Sequence, residues 1–172
     1  MERFETKRFN QDLSFSMTKD RQLKKYWGTI SFEGRFVITG SEFLQKSLGI
    51  DVILQGEGDK KDITIDTKHI RGMYSKFYLE EMSCPKLKIK GWLLKETGHP
   101  DYIFYAFWKT GNECIAYTIP FQPLRDWFIK NKENYPLHTN QNTFNKTTGR
   151  IIPIIDVLNA IKSTAKKEIT IT

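Results

Sequence analysis

Short apolar runs bounded by turn residues set the first part of the pattern. Ile50-Asp51-Val52-Ile53-Leu54-Gln55 reads as a strand. Gly56-Glu57-Gly58-Asp59-Lys60 then reads as a hairpin loop, and Asp62 through Lys68 as the returning strand. Ahead of them, Asp12 to Tyr26 suits a helix, and Trp27 to Thr39 a strand or hairpin. Ser41 is positioned to cap a short helix through Leu48, with Gly49 ending it. Further on, Phe77 to Met82 is extended in pattern, and Asp101–Trp108 and Cys114–Phe121 form two strands around a turn at Lys109-Thr110-Gly111-Asn112. The first of these is apolar on both faces, as a buried central strand requires. Pro123 opens a helix through Lys132 with Leu124, Trp127 and Phe128 on one face. The stretch from Asn134 to Thr148 is polar and reads as loop. Pro153 starts a last helix, over about 153–167, with Ile154, Ile155, Leu158 and Ile161 at helical spacing. Together these elements predict one domain over 1–172, of α/β or α+β class, with helices around a central mixed sheet.

Composition narrows the class. The chain has 172 residues, 39% hydrophobic and 13% aromatic, which suits a packed core rather than disorder. No apolar run is long enough to span a bilayer, and the first residues hold no apolar signal core, so an intracellular, cytoplasmic protein is expected. Cys84 and Cys114 form no CxxC and read as reduced thiols. The net charge of +7 is unevenly spread. Residues 1–40 hold 8 Lys and Arg against 5 Asp and Glu, residues 41–120 hold 11 against 11, and residues 121–172 hold 8 against 4. A neutral, acid-bearing centre between basic ends suits a polyanion, although solubility charge alone produces similar totals.

The chemistry concentrates on the hairpin. Alternation puts Asp66 and Lys68 on one face of their strand, and pairing with the preceding strand lets Asp51 join them. Two carboxylates and an ammonium at one place are costly unless a divalent cation and a phosphate sit between them. This arrangement, Asp51 on one strand and Asp66-Thr67-Lys68 on the next, after a helix and before a later strand, resembles the PD-(D/E)XK nuclease superfamily. The resemblance covers about residues 41–130. It departs at Ile50, where the family usually has proline, and after Lys68, where the family's helix is replaced by loop and extended sequence. Gly91-Trp92 ahead of Asp101-Tyr102 is similar to a segment of phage nucleases of this type, which points to a phage or mobile-element member.

The resemblance implies a restriction-endonuclease-like sheet and Mg²⁺-dependent cleavage of DNA, with Mn²⁺ as a substitute and RNA left open as substrate. Asp51 and Asp66 would hold the metal, helped by the backbone carbonyl of Thr67, and Lys68 would assist the attacking water. Glu42, on the upstream helix, and Glu80 compete for the role of auxiliary acid. Of the two neighbours in that strand, Glu81 shares a face with Phe77 and Leu79, and Glu80 with Tyr78 and Met82. A homodimer is compatible with double-strand cutting, which needs two active sites.

Other chemistries have less support. His69, His99 and His138 are scattered, with no ligand spacing for zinc, and no phosphate-binding glycine motif occurs. Arg71, Lys76, Lys86, Lys88, Lys90 and Lys109 are the candidates for nucleic-acid contact. Lys86-Leu87-Lys88-Ile89-Lys90 alternates, so an extended backbone would align its lysines in one row, either along a phosphate backbone or guarding a sheet edge. A non-catalytic nucleic-acid-binding module on a nuclease-like fold is the alternative reading, and a protein-interaction domain the third.

Overall fold

The computed structural model describes residues 14–16, 18–19, 21–23, 36–39, 48–109, 112–141, 146–162 and 166–170. The fold is α+β, with two sheets and short helices. The chain divides into two compact units. One comprises residues 16–73, 97–121 and 165–172, the other residues 1–15, 74–96 and 122–164.

The first unit holds a six-stranded mixed sheet. Its strands are β1 (Phe36–Thr39), β2 (Val52–Gln55), β3 (Ile63–Arg71), β6 (Tyr102–Trp108), β7 (Glu113–Pro120) and β10 (Lys166–Thr170), in that spatial order. Strands β2 and β3 form the expected hairpin, with Val52 opposite Ile65 and Leu54 opposite Ile63. Asp62 Oδ1 accepts from the Gly56 N–H at 2.9 Å and closes the loop. Strand β6 runs parallel to β3, with Asp66 opposite Ile103 and Lys68 opposite Tyr105. A parallel neighbour needs a long crossover, and residues 72–101 provide it. Antiparallel β7 covers the other side of β6. Every residue of β6 from Ile103 to Trp108 is buried, as its continuous apolar sequence predicts for a central strand. The described residues 14–16, 18–19 and 21–23 are helical, within the stretch expected to be a helix.

The second unit holds an antiparallel sheet in the order β5 (Ile89–Lys90), β4 (Lys76–Cys84), β9 (Lys146–Pro153), β8 (Leu137–Gln141). Phe77, Leu79 and Ile152 are fully buried on one face, as alternation in β4 predicts. Helix α1 (Phe121–Asn131) follows β7 and buries Leu124 and Phe128, four residues apart, while Trp127 is half-buried. Helix α2 (Ile154–Ala160) buries Ile154 and Val157. At Gly149 the sheet leaves no room for a side chain, because a Cβ there would lie 2.5 Å from the Leu79 carbonyl oxygen and 2.9 Å from the Tyr78 ring.

Three expectations are corrected. Residues 137–141 and 146–148, expected as loop, belong to strands, because β9 pairs with β4 and β8 with β9, and this pairing supplies the order that their polar local sequence does not announce. The last helix ends at Ala160. Lys162 adopts a left-handed conformation (φ 50°), and Lys166–Thr170 pairs with β7 as an edge strand. The alternating lysines do not form a row. Pro85–Leu87 is a 3-10 turn, Lys88 has φ 54°, and only Ile89–Lys90 is extended. The helix expected from Ser41 lies, over 41–47, outside the described residues.

Candidate active site

Asp51 and Asp66 meet where β2 starts. Asp51 directly precedes β2, and its side chain meets that of Asp66. The Asp51 N–H still donates to the Ile65 carbonyl at 2.9 Å. Beyond it the chain turns away at Gly49, whose φ of +65° is open to glycine at little cost. Strand β3 is thereby left with a ladder donor that β2 no longer reaches, the Thr67 N–H. The Asp51 side chain takes it. Asp51 Oδ2 accepts from the Thr67 N–H at 2.8 Å and from the Thr67 hydroxyl at 2.9 Å.

The Asp66 carboxyl is 5% exposed and within hydrogen-bonding reach of Asp51. The Lys68 ammonium bridges it, 2.7 Å from Oδ2 and 2.8 Å from Oδ1. Burial, reinforced by the charge and hydrogen bond of Asp51, pushes the Asp66 pKa up to about 7, even though Lys68 pulls the other way. A single ammonium therefore does not fully compensate two adjacent carboxylates. The donor set is all oxygen, the hard type that suits Mg²⁺ or Mn²⁺. The Thr67 carbonyl faces the same strand edge as its N–H, since both groups of a strand residue point to one neighbour. The residues present thus fit a divalent cation.

The sequence pattern brings together Asp51, Asp66, Thr67 and Lys68. It does not bring in the auxiliary acids. Glu42 lies outside the described residues. Glu80 belongs to the other unit and accepts from the Ser83 hydroxyl at 2.5 Å. Among the described residues no three acids, histidines or cysteines group as a metal site. Of the basic candidates, Arg71 is exposed at the end of β3, but alternation turns it to the face opposite Lys68. Lys109 pairs with Glu113 across the β6–β7 turn at 3.8 Å, and Lys90 pairs with Glu96. Lys76, Lys86 and Lys88 are exposed. The second unit carries 14 Lys and Arg against 9 Asp and Glu, the first 13 against 11, so most of the positive charge sits with the second.

Two constellations escaped sequence reasoning. Asp101, just ahead of β6, clamps β3 from its other side, with Oδ2 accepting from the Thr64 N–H and hydroxyl, each at 2.8 Å. Burial opposes its ionisation, but these bonds and Lys61 hold the Asp101 carboxyl below the usual carboxylate range. In the second unit, buried Glu81 accepts from the Arg150 guanidinium and, at 2.7 Å, from Lys132. The same guanidinium donates to the Tyr135 carbonyl at 2.8 Å and to Glu133 at 2.8 Å. The inward alternation of Glu81 was the available signal, and its partners 51 and 69 residues away were not. His69 is also committed: its Nδ1 accepts from Trp108 Nε1 at 3.1 Å, which leaves the ring proton on Nε2 when the ring is neutral.

No protein-family model, curated protein or solved structure matches this chain. No helix among the described residues is long and apolar enough to cross a membrane. Any functional reading therefore stands on the geometry of these side chains.

Proposed function

We propose that the chain is a divalent-metal-dependent phosphodiesterase, a DNA endonuclease of the PD-(D/E)XK type. The observation that carries this reading is the buried Asp66 carboxyl, in contact with Asp51 and bridged by Lys68 on the middle of three consecutive sheet strands. The order supports it too: an acid at the start of a strand, a hairpin, an Asp-x-Lys strand, and a later strand parallel to it. The positive charge of the second unit supports a polyanionic substrate.

Mg²⁺, when bound, would polarise a phosphate oxygen and acidify the attacking water. Asp51 and Asp66 would hold it through their carboxylates. Lys68, 27% exposed at its side chain, can leave Asp66 once that carboxylate has a stronger partner. Its ammonium would then orient the attacking water and stabilise charge that builds on the phosphoryl oxygens in the transition state. Burial of the Asp66 carboxyl limits the water that can compete for its position.

The experiment is a Mg²⁺-titrated cleavage assay on duplex DNA, single-stranded DNA, junctions and RNA, with Asp66→Asn as control. Metal-dependent cleavage by the wild type that Asp66→Asn loses is the expected result. Salt-sensitive binding without cleavage of any form would instead assign the non-catalytic nucleic-acid-binding module.

A further inference from the structure

Asp51 and Asp101 use the same device against β3, yet only one of them faces a second carboxyl. Each gives a single oxygen, Oδ2, to both the N–H and the hydroxyl of one threonine. Asp101 Oδ1 then meets the Lys61 ammonium at 3.5 Å, so both of its oxygens have protein partners. The two Thr67 bonds to Asp51 both fall on Oδ2, and its carboxyl also meets that of Asp66. Thr67 is buried at 9% exposure, so water is poorly placed to replace its hydroxyl.

We infer that Thr67 is a positioning residue: by engaging Asp51 Oδ2 with two donors, it turns Oδ1 toward Asp66 as the single oxygen that Asp51 offers a divalent cation. This rests on the metal-binding reading above. A carboxylate accepting two hydrogen bonds on one oxygen is fixed in rotation, and the other oxygen is fixed with it. The Asp51 backbone is anchored as well, through its N–H to Ile65. The role differs from that of a ligand, because the hydroxyl donates to the Asp51 carboxylate and would act on a cation only through it. Bonds of this kind behind a metal ligand are worth about 10–100-fold in metal affinity.

The test uses Thr67→Val, which removes the hydroxyl at nearly constant shape, and Thr67→Ser, which restores it. Mn²⁺ affinity of the full chain is measured by electron paramagnetic resonance, with melting in chelator as the check on folding. Thr67→Val is expected to bind Mn²⁺ about 10–100-fold more weakly. Thr67→Ser should return to within a few-fold of wild type. Wild-type affinity in Thr67→Val, or equal weakness in Thr67→Ser, would overturn the positioning role while leaving the metal site intact. Wild-type protein that binds Mn²⁺ no better than Asp66→Asn would overturn the metal reading and this inference with it.

Discussion

Lys68 and Asp66 form a nearly symmetric bridge, with the ammonium 2.7 and 2.8 Å from the two carboxylate oxygens. Exposed pairs of this kind contribute little, but Asp66 is buried and has a second carboxyl beside it. The pair is better suited to being exchanged than to holding the fold together. Asp66→Asn should therefore leave the protein folded and, without metal, at least as stable as wild type in a thermal melt. Loss of folding in that variant would show that Asp66 is structural.

The raised pKa of Asp66 gives stability a definite pH sign. In the unfolded chain this carboxyl ionises near 3.8, and in the folded chain near 7. Between those values the folded state binds more protons, so the contribution of Asp66 is fully present below about pH 4 and is lost as pH rises through 7. Metal-free melting of wild type against Asp66→Asn isolates the effect. The wild type should lose stability relative to the variant from pH 4 to 8, and Mg²⁺ should reverse that loss at the alkaline end. A difference between the two that is flat with pH would contradict the burial argument.

The Thr64–Asp101 clamp is expected to be structural only. Thr64→Val removes the hydroxyl's bond to the ionised Asp101 carboxylate and the bond it accepts from the Asp101 N–H, a loss of at least about 1.5–3 kcal/mol, measurable by denaturant unfolding. The cleavage rate per folded molecule should stay at the wild-type level. Loss of cleavage with full stability would move this clamp into the active site.

Glu81 holds the second unit through a buried ion pair. Glu81→Ala leaves the Arg150 guanidinium, 8% exposed, without its main partner, and should cost about 3–5 kcal/mol. Replacing both partners with apolar residues, as in Glu81→Leu with Arg150→Met, should recover most of it. Burial works against Glu81 ionisation, but the bonds from Arg150 and Lys132 hold its pKa low. Its stabilisation is thus lost as pH falls through that lowered pKa, opposite in sign to Asp66. Equal loss in the single and double variants would argue against an uncompensated charge as the cause.

What the sequence made legible was local. The β2–β3 hairpin, the β6–β7 pair and α1 each carry their own turn residues or periodicity, so the Asp51–Asp66–Lys68 cluster followed from strand alternation and one hairpin. What depended on distant partners was not legible. Strand β9 takes its order from β4, the polar strand β8 from β9, and β10 from β7. The Thr67 hydroxyl gave no signal, because only the start of β2 at Val52 creates the vacancy that Asp51 fills. The lysine row failed for a local reason: Pro85 starts a 3-10 turn and Lys88 turns left-handed, which breaks the alternation that the residue types suggest.

The central claim is that Asp51, Asp66 and Lys68 form one metal-dependent hydrolytic centre. The most direct measurement is cleavage of labelled DNA by wild type, Asp51→Asn, Asp66→Asn and Lys68→Ala, each in Mg²⁺ and in chelator, with folding checked by circular dichroism. The account predicts cleavage by the wild type in Mg²⁺ alone and a loss of at least about 100-fold in all three folded variants. Cleavage that persists in chelator, or at the wild-type rate in any of the three, would contradict it.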